Sequence, residues 1–158
     1  MLSPDWIDVS ARLGCATLAG AVLGINRDLH HKPAGLRTHA LVSLGSAMVV
    51  MTAATMVGGD VAAISRVIQG LVTGVGFIGA GVILHHDAER RVVGLTTAAS
   101  IWVAAALGSA SGAGSWSVLG LGLAMTLAVL ILGGPIERAW ERRLRPAGKN
   151  AAPGDPDA

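Results

Sequence analysis

Five stretches of this 158-residue chain are each long enough to cross a lipid bilayer and almost free of charge, and nothing else in the sequence constrains the fold as strongly. A helix needs about 20 mostly apolar residues to cross a hydrocarbon core of about 30 Å. Inside hydrocarbon every backbone N–H and C=O must be satisfied within the protein, which a helix does segment by segment. The windows are Trp6–Ile25, Leu36–Val57, Ile64–Leu84, Gly94–Gly112 and Ser117–Gly134. They predict an all-α polytopic bundle of about five transmembrane spans, with the lipid bilayer as its first partner. The fourth window is the weakest, being rich in Ala, Ser and Gly instead of Leu and Ile. Charged residues make up 14% of the chain, against about 25% in soluble domains, so this is not the composition of a soluble enzyme.

The first window has no preceding Lys or Arg, which argues against a cleaved secretory signal. Ser3 as cap and Pro4 at the first helical position instead read as the start of a retained helix. Ten of the twelve Lys and Arg residues fall on one side of a five-span arrangement: Arg27, Lys32, Arg37, Arg90, Arg91, Arg138, Arg142, Arg143, Arg145 and Lys149. Arg12 and Arg66 take the other side. Cytoplasmic loops carry the excess of positive charge, which predicts an outside N-terminus and a cytoplasmic C-terminus. The transmembrane domain is expected over residues 1–140. A basic tail, 141–158, follows and is expected to be disordered from about Pro146. Trp6, Trp116 and Trp140 sit where interfacial aromatics belong, while Trp102 falls inside the fourth span and reads as packing.

Within the third window, Gly74-Val75-Gly76-Phe77-Ile78-Gly79 matches a dinucleotide fingerprint in letters only. That motif needs a preceding strand and an acid about 20 residues on, and neither is present. Helix packing is the better reading, because small residues let backbones approach in lipid. Gly70 and Gly74 form a GxxxG pair, Gly81 continues that face, and Gly76 with Ala80 forms a second; either tight internal packing or a homo-oligomer would use them. Asp8 and Arg12, spaced i, i+4, can pair. Gln69 can bond across to a neighbouring helix, and Cys15 reads as a small apolar residue with no disulfide partner.

All five histidines, His30, His31, His39, His85 and His86, fall on the predicted cytoplasmic side and read as a titratable interfacial surface. Asp28, His85, His86 and Asp87 are weak candidates for metal ligation, since adjacent histidines do not easily share one ion. Arg27, Asp28 and Arg37 surround a Pro33-Ala34-Gly35 turn. Asp28 can bridge the two arginines as a clamp on the hairpin, or the three can form an ion or partner site.

Gly24-Ile25-Asn26-Arg27-Asp28, then Lys32-Pro33-Ala34-Gly35-Leu36-Arg37-Thr38-His39, resembles the signature of the MgtC/SapB membrane proteins. The resemblance continues through Gly70–Ile83 and through Gly94-Leu95-Thr96-Thr97-Ala98-Ala99-Ser100-Ile101-Trp102, and covers roughly residues 10 to 135. It implies a bacterial inner-membrane protein associated with growth under magnesium limitation and, in pathogens, with survival inside host cells. The matching positions are Arg27, Asp28, Gly35, Arg37 and Thr38, then Gly74, Gly76, Gly79 and Gly81, then Thr96, Thr97 and Ala98. Family members often carry an acid where this chain has Asn26 and an asparagine where it has Thr96. Many also carry a soluble C-terminal regulatory domain, so the chain resembles the short branch.

Two functions follow. One is a non-enzymatic regulator of a membrane protein complex or of the membrane potential during magnesium stress. It is favoured by that resemblance and because no Asp or Glu lies deep within a predicted span. The other is a transporter or channel for Mg²⁺ or another cation, with Asp28 at a helix end and the glycine-rich third helix along the path. An intramembrane enzyme is not expected, since no nucleophile–base or metal-ligand pair appears within the spans. No cofactor is expected beyond Mg²⁺ as a transported or sensed ion, and no nucleic acid as a partner.

Overall fold

The computed structural model describes residues 5–58, 60–86 and 91–144. Five helices occupy the five windows: α1 (Trp6–Leu29), α2 (Leu36–Met56), α3 (Val61–Gly81), α4 (Leu95–Gly112) and α5 (Trp116–Leu144). All five are long and apolar enough to cross a membrane. Between α3 and α4 the charged loop contains a short antiparallel pair, β1 (Leu84–His86) and β2 (Arg91–Val93), with Leu84 opposite Val93. The all-α architecture expected from the sequence stands, with this small hairpin added.

Helix starts follow local chemistry. Asp5 caps α1, its Oδ1 accepting from the Ile7 N–H at 3.0 Å. The expected cap, Ser3, and Pro4 lie outside the described residues. Asp60 caps α3 in the same way, accepting from Ala62 N–H at 2.9 Å, and so satisfies a donor that the helix itself leaves free. At α4 the capping residue is Gly94, with φ +96°, a conformation that L side chains rarely adopt. A Cβ there would also collide with the Val82 carbonyl.

The chain divides into two compact units, Met1–Leu127 and Ala128–Ala158. In the first, α1, α2 and α4 form the packed centre: half of the α4 span is buried, against a third of α2 and 6% of α3. The centre is built on glycine. A Cβ at Gly20 or Gly24 of α1 would run into the backbone of His39 or Leu36 on α2, and one at Gly108 or Gly112 of α4 into that of Ser43 or Ala47. Each pair is a GxxxG, and each places helix backbone against helix backbone. The glycines expected to do this are elsewhere. Around Gly70, Gly74, Gly76 and Gly81 a Cβ would meet nothing within 4 Å; only Gly79 of that set makes contact, with Ala98 at 3.5 Å. Of the two uses expected for that face, tight packing within the chain is not found at these four positions, and α3 leans on α4 through Val75, Ile101 and Ala105. Trp102, expected to be packed, is only partly so, at 45% exposure.

The second unit, described as far as Leu144, is the remainder of α5. The helix does not stop at Gly134, as expected, but runs on through Pro135.

Candidate functional site at the Arg27 end of the bundle

Serine and threonine hydroxyls tie the central helices together. Ser43 of α2 donates to the Ala16 carbonyl of α1 at 2.7 Å, and Ser111 of α4 donates to the Arg12 carbonyl at 2.7 Å. At that end Arg12 pairs with Asp8 at 2.8 Å, as its spacing predicts, and its Nη1 also donates to the Gly112 carbonyl at 3.0 Å. The second bond was not foreseen. It satisfies one of the carbonyls that the end of α4 leaves free. Gln69 reaches only Ser65 on its own helix, at 3.5 Å, not a neighbouring helix as expected.

The opposite end holds the unusual chemistry. Arg27, in the last turn of α1, is only 5% exposed, and its Nη2 donates to Thr97 Oγ1 in the first turn of α4 at 2.8 Å. Its Nε is buried and has no hydrogen-bond partner. A buried guanidinium is expensive unless its donors are matched, and the Thr97 bond meets part of that need while tying α1 to α4. Asp28, the next residue, faces outward. Its Oδ2 accepts from Leu36 N–H at 3.0 Å, capping α2, whose own capping residue Gly35 offers no side chain. The clamp expected between Asp28 and the two arginines is corrected: among the described residues the only ion pair is Arg12–Asp8. Asp28 closes the α1–α2 hairpin through a backbone amide instead.

Gly35 is needed because a Cβ would fall on the Asp28 carboxylate. The turn that delivers it is strained, with His31 at φ 51° and Ala34 at φ 59°, where residues other than glycine are uncommon. Beside it lies an open cleft of about 500 Å³ lined by Asp28, Ala34, Gly35, Leu36, Arg37 and Thr38. Four of the five first-motif residues therefore meet at one surface, and Arg27 turns inward. Of the fourth-helix motif, Thr97 is buried in the Arg27 contact, Ala98 packs on Gly79, and Thr96 is exposed.

The histidines divide. His30 and His31 are exposed, but His39 is fully buried, which corrects the surface reading for that residue. Its Nδ1 lies 3.0 Å from the Gly35 carbonyl and its Nε2 3.0 Å from Ser100 Oγ. A signal for this was available: His39, Ser43 and Ser46 recur at i, i+4 and i+7, a polar stripe on one face of an otherwise apolar helix. The side chains of His85 and His86, and all of Asp87, lie outside the described residues. No group of three or more His, Cys, Asp or Glu among the described residues is arranged to hold a metal.

Five membrane-length helices, three of them tied to one another by buried hydroxyls and a buried guanidinium, define a multi-pass helical membrane protein. The chain belongs to the MgtC family, whose profile matches residues 13–139, and it is a protein of the bacterial inner membrane. It is 43% identical over 150 residues to Protein SrpB of Synechococcus elongatus, covering 88% of this chain and 82% of that one. It is 43% identical over 125 residues to the Putative magnesium transporter YhiD of Escherichia coli K12, and 38% identical over 132 residues to Protein MgtC of Brucella abortus. Those matches cover 75% and 84% of this chain but only 57% and 54% of the relatives, so the chain spans little more than half of each. No solved structure matches it.

Proposed function

We propose that the chain is a non-enzymatic regulatory component of the inner membrane in the response to magnesium limitation, acting on another membrane complex or on the membrane potential. The magnesium link rests on the family and on the names of the YhiD and MgtC relatives. One observation carries the choice of regulator over conduit. The buried polar groups between the central helices are Arg27, His39, Thr97 and serines, with no carboxylate among the described residues. A path for Mg²⁺ must replace tightly held water with oxygen ligands, carboxylates above all. A fixed guanidinium repels such an ion, and at Gly20, Gly24, Gly108 and Gly112 the central helices meet backbone to backbone.

Asp28, Arg37 and Thr38 then serve as a recognition surface, presented at the cleft on a turn held rigid by Asp28 itself. The transporter reading keeps one point in its favour, the name of the YhiD relative. Proteoliposomes holding only the purified chain separate the two. A regulator gives no magnesium flux above empty vesicles, and Arg37→Ala weakens capture of a membrane partner. Flux from the chain alone, lost in Asp28→Ala, would overturn the proposal.

A further inference from the structure

The hydrogen bonds around His39 do not balance for a neutral imidazole. Nδ1 faces the Gly35 carbonyl at 3.0 Å, and a carbonyl only accepts, so Nδ1 must carry a hydrogen. Ser100 Oγ lies 2.8 Å from the Thr97 carbonyl, another pure acceptor, which takes the single hydroxyl hydrogen. The remaining contact, His39 Nε2 to Ser100 Oγ at 3.0 Å, is then a hydrogen bond only when Nε2 also carries a hydrogen. Three bonds need three protons, whereas a neutral histidine and a serine supply two. An imidazolium supplies the third.

The chain of contacts matters because of what it joins. Gly35 belongs to the strained hairpin turn, His39 to α2, Ser100 and Thr97 to α4, and Thr97 Oγ1 accepts from Arg27 of α1. The charges within reach of the ring from α1 are Arg27 and Asp28. Helix α4 carries no ionisable residue, the only one on α3 is Arg66 near its far end, and α2 adds only Arg37 at the exposed cleft.

We propose that His39 is a proton-binding switch. Uptake of one proton completes the line Gly35–His39–Ser100–Thr97 and clamps α2 to α4. Loss of the proton forces Ser100 to choose between His39 and the Thr97 carbonyl, and so loosens either the α2–α4 tie or the first turn of α4 that receives Arg27. The ligand is the proton itself, and the output is the set of the hairpin that presents Asp28 and Arg37. This inference stands apart from the regulatory reading, since the titration can be read without any partner or any flux.

The test is nitrogen NMR of the full chain in lipid nanodiscs with labelled histidine, followed from about pH 5 to 8, the range in which histidine ordinarily changes charge. Both His39 ring nitrogens should be protonated at the acid end and one bare at the alkaline end. Ser100→Ala removes the middle link with a small residue that the helix accepts readily. It should move the His39 midpoint by about one pH unit or more, a tenfold change in proton affinity. A single neutral tautomer throughout the range, or a midpoint unchanged in Ser100→Ala, would overturn the proposal. The wild-type titration decides the first point even if the variant fails to fold.

Discussion

Replacing Gly108 by alanine tests the packing of the centre most directly. A Cβ at this position would lie 2.7 Å from the Ser43 carbonyl carbon and 2.8 Å from Ser43 Cα. Carbon atoms in contact rest about 3.5–4.0 Å apart, so α4 must retreat from α2 by about 1 Å. The obstruction is backbone, which has no rotamer to move aside. Overpacking usually costs about 1–3 kcal/mol, and the upper end applies here, since the same shift strains the His39–Ser100 and Arg27–Thr97 contacts. Alanine is otherwise the better helix residue by about 1 kcal/mol, which leaves a net loss of about 2 kcal/mol, or roughly thirtyfold in the folded population. Gly74→Ala is the matched control. Its Cβ meets nothing within 4 Å, so it keeps the propensity gain and should be neutral or slightly stabilising. Unfolding in mixed micelles, titrated with denaturing detergent, reads both. If Gly108→Ala matches wild type, or if Gly74→Ala is the more damaging of the two, the assignment of close and open glycines is wrong.

Three further outcomes follow from the described contacts. Asp28→Ala removes the acceptor for Leu36 N–H and should destabilise the α1–α2 hairpin by about 1 kcal/mol, seen as faster amide exchange at Leu36–Thr38. Asp28→Asn keeps an acceptor and should exchange nearly as slowly as wild type. Thr97→Val deletes the acceptor of a charged donor and should cost about 1.5–3 kcal/mol in the same unfolding titration; Thr96→Val, at an exposed position, should cost little. In a variant retaining only Trp102 among the four tryptophans, fluorescence should be quenched by bromine-labelled acyl chains, because nearly half of the residue is exposed on a membrane-length helix. An unquenched Trp102 would return it to the packing role expected from the sequence.

The number and extent of the helices were legible because a bilayer dictates both length and composition. Which glycines pack was not. Gly20 and Gly24, Gly70 and Gly74, and Gly108 and Gly112 all have the same spacing, yet only the first and last pairs meet another backbone. The spacing states that a helix can be approached closely, not which neighbour approaches it. The weak apolarity of the fourth window held the missing clue: α4 is short of Leu and Ile because protein, not lipid, surrounds half of it. The first motif was legible as a cluster, since Asp28, Gly35, Arg37 and Thr38 do line one cleft. The bonding within it was not, because the sequence does not reveal that Arg27 turns inward to Thr97, 70 positions away. His39 was misread for a related reason. It lies near a predicted loop, and the groups that enclose it, Gly20 of α1 and Ser100 of α4, are distant in the sequence.

The central place of α4 also bears on how the protein is made. Spans leave the insertion machinery in order, so α1, α2 and α3 reach the bilayer before α4 has been synthesised. Until then the stretch of α2 around Ser43 and Ala47 and the inward side of Arg27 have no partner. When α4 arrives, it is the span least suited to stand alone in lipid, and the site that receives it is already waiting. Its insertion is therefore coupled to assembly, with the earlier helices acting as its receptor. A lesion at Gly108 or Thr97 would then appear in cells first as a fourth segment that fails to enter the membrane and a chain that is degraded, before any loss of activity could be measured.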